Sequence, residues 1–202
     1  MPRSLYLASQ SPRRLELLRQ IGLTPTVLAL RQTAPRIDVD ETPLPRESAR
    51  AYVQRVARAK AQMAGRVIQA RQLPPWPVVA ADTCVVLDGA ILGKPRSAEE
   101  AAAWLRRYAE RSHTVLTAVT VLYGGRMESA VNRSTVHFGP IGERDIAAYL
   151  ASGEPFDKAG GYGIQGRAGA FVRHLSGSYT GVMGLPLYET LQLLKAVGFE
   201  PY

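Results

Sequence analysis

The sequence predicts an α/β protein, with a mixed, twisted sheet and flanking helices. Three observations carry that class. Apolar runs of strand length alternate with stretches of three- and four-residue apolar spacing, the signatures of strands and helices in turn. One long hairpin, with His113–Tyr123 and Arg126–Phe138 on either side of Gly124-Gly125, adds antiparallel pairing and makes the sheet mixed. Hydrophobic residues form 46% of the 202-residue chain, enough for a core in one domain or in two small lobes sharing a cleft.

In chain order, Ser4–Ala8 is an apolar strand that runs into Ser9-Gln10-Ser11-Pro12-Arg13-Arg14. Ser11 suits an N-cap, and Pro12 suits the first helical position, where its missing N–H has no partner to lose. Leu15 with Leu18 and Leu17 with Ile21 continue the helix, which Gly22 can close. Residues 24–45 predict a strand and a long acidic loop carrying Asp38, Asp40 and Glu41. A single helix is expected over 46–71, broken by Leu73-Pro74-Pro75-Trp76-Pro77. Val78–Ala81 is a buried-type strand ending at Asp82-Thr83, and Asp88-Gly89 is a hairpin turn between Cys84–Leu87 and Ala90–Leu92. Ser97 and Glu100 form a capping box for a helix to about Tyr108, and Glu143–Ser152 is a helix with Gly153 at its end. Residues 157–184 are dense in glycine, and Leu185–Val197 is a closing helix.

Composition excludes several classes. No stretch approaches the roughly 18–20 apolar residues that span a bilayer. The charges of Arg13 and Arg14 follow the first apolar run instead of preceding it, so a secretory signal is not expected and a cytoplasmic protein is. The lone Cys84 can form neither an internal disulfide nor a zinc site by itself. A net charge of +8 invites nucleic acid, but the arginines are spread along helices, not gathered with aromatics, and a basic chain also attracts free nucleotides. There is no GxxxxGK[ST] loop, no Ser–His–Asp set, and no ligand spacing among His113, His137 and His174.

Several segments carry chemistry. The start of the Pro12 helix offers free N–H groups and the positive dipole end, with two serines and two arginines crowded beside them. Arg13 and Arg14 repel unless an anion sits between them, and guanidinium grips phosphate oxygens in pairs. A capped surface helix with solvated arginines explains the same residues. Lys60 lies on the apolar stripe of its helix among Val53, Val56, Ala57, Ala61, Ala64, Val67 and Ile68. It either snorkels to water or meets phosphate or a carboxylate. Only Lys60, Lys94, Lys158 and Lys195 among the 25 cations are lysine, so each can mark a place for a compact charge. Asp82, at the end of a buried strand, could hold a divalent metal or take a proton from water; an Asp turn is the plainer explanation. Asp157 through Gly166 is too glycine-rich for a helix and lets backbone approach a ligand, while Gln165 offers a donor and an acceptor to a base edge. Tyr162, Ile164 and Phe171 argue that this run is an ordered loop.

Taken together, these segments resemble the Maf family of nucleoside triphosphate pyrophosphatases over nearly the whole chain. The resemblance rests on Leu7-Ala8-Ser9-Gln10-Ser11-Pro12-Arg13-Arg14, Ala81-Asp82-Thr83, Gly93-Lys94-Pro95, Asp157-Lys158-Ala159-Gly160 through Ile164-Gln165-Gly166, and Gly184-Leu185-Pro186-Leu187, in that order and spacing. The chain departs from the family at Tyr108-Ala109-Glu110-Arg111-Ser112-His113, where a Leu-Ser-Gly turn is usual.

The resemblance implies one Maf/inosine triphosphatase-like domain over residues 1–202, with two lobes sharing one cleft. It implies hydrolysis of a nucleoside triphosphate to the monophosphate and pyrophosphate, with dTTP and UTP, and modified pyrimidine nucleotides, as substrates. It also implies a divalent cation (Mg²⁺ first, Mn²⁺ or Co²⁺ as alternatives) and a homodimer that binds neither membrane nor stable nucleic acid. Ser9, Ser11, Arg13 and Arg14 then cradle the triphosphate. Glu41 and Asp82 hold the metal, with Asp38 and Asp40 as alternatives to Glu41, and Asp82 accepts the proton. Lys60 and Lys94 stabilise charge as the bond breaks, Lys158 binds substrate, and Thr83 and Gln165 read the pyrimidine. The competing class is a non-catalytic nucleotide or nucleic-acid binder that regulates cell division by septum arrest.

Overall fold

The computed structural model describes residues 4–30 and 38–201, so positions 31–37 of the expected acidic loop lie outside the described residues. Strand β1 (Ser4–Leu7) leads into helix α1 (Pro12–Gln20) and β2 (Thr24–Val27). Helix α2 (Ala49–Ala70) follows, then β3 (Val78–Leu87), β4 (Ala90–Leu92) and α3 (Ala98–Tyr108). The long strands β5 (Ser112–Tyr123) and β6 (Arg126–Phe138) form the expected hairpin, followed by α4 (Glu143–Ala151). Three short 3-10 turns then precede β7 (Val172–Ser176), α5 (Tyr179–Met183) and α6 (Leu187–Ala196).

These elements build a mixed seven-stranded sheet in the order β2-β1-β3-β5-β6-β7, with β4 on β3. The β1–β2 and β1–β3 pairs are parallel, with Leu7 opposite both Val27 and Val79, whereas β3–β4 and β6–β7 are antiparallel. No helix among the described residues is long and apolar enough to cross a membrane.

Two expectations are corrected. First, β3 does not end at Asp82-Thr83; it runs unbroken to Leu87, and Asp82 sits mid-strand. Every β3 residue except Thr83 and Val86 is buried, so the strand lacks the alternation that would show its continuity, and a charged residue in mid-strand resembles a terminus. Second, the glycine-dense run contains β7 and α5. Both are short, and β7 is an edge strand with largely exposed side chains, so neither leaves a hydrophobic period to detect.

Local chemistry explains the boundaries. Ser48 caps α2 through Oγ, which accepts the Ala51 N–H at 3.2 Å, and Ser97 caps α3 in the same way from Glu100. The Glu100 carboxylate turns instead to Arg96, so the capping box is half formed. Ser11 occupies the N-cap of α1 without a side-chain cap. At the departure from the family turn, Glu110 adopts φ 58°, the left-handed conformation in which glycine is most at ease.

The chain divides into two compact units, one of residues 1–82, 117–132 and 184–202, the other of 83–116 and 133–183. In the first, Tyr6, Ala8, Leu28, Ala61, Ala64, Val78 and Ala80 form a core on which Trp76 stacks, its ring 5.3 Å from that of Tyr6. In the second, Val85, Leu105, Val136, Phe138 and Ile146 enclose a buried polar group of Tyr108, His113 and Tyr162. The Nε2 of His113 meets the Tyr162 hydroxyl at 2.7 Å, and burial pushes the imidazole pKa down to about 3.

Because the folded state holds His113 neutral, the unfolded chain binds the extra proton. The stabilisation is complete above the unfolded value near 6.5 and drains away as pH falls toward 3. Urea unfolding should therefore lose about 1.4 kcal/mol per pH unit between roughly pH 6 and 5, a slope that His113→Gln removes.

Candidate active site

The apolar stripe of α2 buries Val53, Val56, Ala57, Lys60, Ala61 and Ala64 together. Lys60 does not snorkel. Its ammonium donates to Asp82 Oδ1 at 2.8 Å and lies 3.0 Å from Glu41 Oε1. The side chains of Lys60 and Asp82 are each only 8% exposed, against 34% for Glu41. Three separate pieces of chain thus meet: mid-β3, mid-α2 and the loop before α2.

That loop is tied to α2 by residues that sequence reasoning did not single out. The Tyr52 hydroxyl donates to the Glu41 carbonyl at 3.0 Å. Arg55 donates to the Asp40 and Thr42 carbonyls and grips the Glu47 carboxylate at 2.7 and 2.8 Å. The Arg55 hydrogen bond holds the Glu47 pKa down at about 2. No sequence signal could have joined these groups, since Glu47 precedes the helix and Arg55 lies two turns inside it. Asp40 turns its carboxylate back to the Thr42 N–H at 2.9 Å, while Glu41 reaches Lys60.

The start of α1 adds further charge to the same unit. Arg14 Nε donates to the Gly184 carbonyl at 2.7 Å and Nη1 to Ser9 Oγ at 3.1 Å. Ser9 Oγ also accepts the Ser11 N–H at 3.2 Å. Both contacts use Ser9 as an acceptor, so its hydroxyl proton remains a donor. The Gly184-Leu185-Pro186-Leu187 motif thereby acquires a task, because its first carbonyl aims Arg14. Burial lowers the Arg14 pKa, Asp82 and Glu41 oppose that shift, and Arg13 adds to it. A guanidinium stays protonated throughout.

Burial raises the pKa of Asp82, against the opposing pull of Lys60 and Arg14; Glu41 adds to the rise. Its Oδ2 is buried without a hydrogen-bond partner among the described residues. An unsatisfied charged oxygen costs about 1–3 kcal/mol or more, and the cost disappears when a ligand occupies it. No group of three His, Cys, Asp or Glu that could hold a metal occurs among the described residues. Two carboxylates still fit Mg²⁺, which binds through one or two such groups and completes its shell with water and substrate phosphates. Asp82 and Glu41 would hold it.

Four expected site residues, Thr83, Lys94, Lys158 and Gln165, belong to the second unit. There the Gly160 N–H donates to the Gly93 carbonyl at 2.8 Å, which joins the loop of Lys94 to the glycine-rich loop. The Lys158 ammonium donates to the Glu154 carbonyl at 2.9 Å and to the Asp157 carboxylate, both of its own neighbourhood. A Cβ on Gly163 would stand 2.8 Å from Lys158 Cε, and one on Gly166 2.3 Å from the Glu154 carboxylate. The glycines therefore permit close packing in an ordered loop, and Lys94 and Gln165 are exposed.

The buried carboxylate–ammonium cluster and the helix-start arginines occur in a chain that matches the Maf-like protein family over residues 4–197. The chain belongs to that family. It is 52% identical over 199 residues to a dTTP/UTP pyrophosphatase of Dechloromonas aromatica, covering 98% of each chain. It is 51% identical over 197 residues to that of Aromatoleum aromaticum, covering 96% of each. Among solved structures, the Staphylococcus aureus Ham1 protein aligns at a TM-score of 0.43 and 18% identity, covering 66% of this chain and 69% of that one.

Removing one partner of a buried ion pair leaves the other charge uncompensated. Lys60→Met should lower stability by about 3–5 kcal/mol in urea titration at pH 7, and adding Asp82→Leu should restore most of the loss.

Proposed function

We propose that this chain is a metal-dependent nucleoside triphosphate pyrophosphatase, hydrolysing dTTP and UTP to the monophosphate and pyrophosphate. The observation that carries the reading is the unsatisfied Oδ2 of buried Asp82, beside Lys60 and Glu41. The near-half identity to dTTP/UTP pyrophosphatases supports the substrate.

The roles follow from the chemistry of the side chains. Ser9, Arg14 and the N–H groups at the start of α1 bind phosphate oxygens, with Ser11 and Arg13 beside them. Asp82 orients the attacking water and takes its proton, a task favoured by its raised pKa. Lys60 keeps that carboxylate aligned and, with Lys94, offsets negative charge as the anhydride between the α- and β-phosphates breaks. A divalent cation, when bound at Asp82 and Glu41, supplies Lewis-acid polarisation of phosphate oxygens; Mg²⁺ suits this oxygen set best. Thr83 and Gln165 read the pyrimidine, and Lys158 binds substrate beside them. A purely regulatory binder needs the cations but has no use for a buried base with an open oxygen. The resemblance to the family carries two further parts of the proposal, a cytoplasmic location and a homodimer, the latter open to analytical ultracentrifugation.

Incubation with dTTP, UTP, CTP and GTP plus Mg²⁺ should release pyrophosphate fastest from dTTP and UTP. Absence of release from all four would leave only a binder. Asp82→Asn should keep the fold, by circular dichroism, and lose about 10²–10³ in kcat. Turnover at the unaltered rate would remove Asp82 from the mechanism. Chelation by EDTA should abolish activity, and added Mg²⁺ should restore it.

A further inference from the structure

Tyr108 ends α3, and its side chain is wholly buried. A phenol in such a place keeps its hydroxyl only by finding a partner, and here it donates to the Gly160 carbonyl at 2.9 Å. Gly160 is the pivot of the glycine-rich loop. Its φ is 72°, and a Cβ would stand 2.5 Å from Val85 Cγ2, so no other residue fits. Its N–H is held by Gly93 at 2.8 Å, one residue before Lys94. Both backbone polar groups of Gly160 are therefore fixed, one by the loop of Lys94 and one by Tyr108.

Tyr162, two residues on, is held by His113 Nε2 at 2.7 Å, and the rings of Tyr108 and His113 lie 4.4 Å apart. One packed pair of side chains thus carries both bonds. Past Gln165 the loop is anchored again. Glu154 accepts the Arg167 N–H at 2.9 Å and the Tyr149 hydroxyl at 3.1 Å. Gln165 is exposed between these two anchors.

We propose that Tyr108 is a positioning residue for base recognition: with His113 it clamps the Gly160–Tyr162 turn, and so fixes the presentation of Gln165. The proposal rests on the pyrophosphatase reading above for its kinetic consequence, though not for the clamp itself. An exposed amide binds a base more tightly when its direction is set before the substrate arrives, because each ordering step otherwise subtracts from binding. Loss of one buried hydroxyl bond corresponds to about a fivefold to tenfold effect.

The test uses the full chain carrying Tyr108→Phe, which removes one oxygen. Amide exchange across residues 158–166 should quicken severalfold while α1 and α2 stay unchanged. The KM for UTP should rise about fivefold to tenfold, with kcat within about twofold. The competitive inhibition constant of inorganic tripolyphosphate, which has the phosphates and no base, should not move. Tyr162→Phe, which cuts the other bond, should reproduce this pattern and serves if Tyr108→Phe does not fold. Unchanged exchange overturns the clamp whatever the activity. Faster exchange with an unchanged KM, or with tripolyphosphate weakened to the same degree, overturns the positioning role. Wild-type protein that releases no pyrophosphate overturns the functional reading alone, and the exchange result still decides the clamp.

Discussion

One buried ammonium governs the charged half of this protein. Lys60 stands in the apolar stripe of α2, where an unpaired cation would cost several kcal/mol. Asp82 and Glu41 offset that cost. The arrangement is therefore stable without being saturated. Arg14 adds a second cation through space, and Asp82 Oδ2 keeps an oxygen without a partner among the described residues. A fully satisfied cluster would be a structural staple. A cluster with an open carboxylate oxygen suits a ligand that occupies it.

The supports of this cluster serve orientation. Arg14 is aimed by the Gly184 carbonyl and Ser9, so a motif near the end of the sequence directs a side chain near its start. Glu41 is placed by Tyr52 and Arg55, which hold the backbone around it. Preorganised charge of this kind is where phosphoryl chemistry gains most, since the chain does not reorganise as charge develops.

The second unit solves a different problem with neutral groups. Its glycine-rich loop must approach β3 and α3 closely while keeping an ordered path. Gly160 does so under Val85, and Gly166 does so beside Glu154. Hydroxyl and imidazole groups then satisfy the loop from within an aromatic core, with His113 kept neutral by burial. Neutral hydrogen bonds give direction without attracting counterions.

The sequence by itself determined the α/β class, the long hairpin, the helix cap at Ser97, and the membership of Lys60 in an apolar stripe. These depend on local periodicity and on capping chemistry within four residues, which a chain states openly. It also named the family through motifs in order, and with them the candidate residues. Tertiary structure alone decided that β3 continues through Asp82, that Lys60 meets carboxylates instead of water, and that Glu41 is the acid that reaches it. It alone supplied Tyr52, Arg55 and Glu47, and it joined Gly93 to Gly160 and Tyr108 to the glycine turn. The physical reason is range. Such contacts link residues far apart in the chain, and a side chain's partner there depends on where the backbone brings it, which no local pattern encodes.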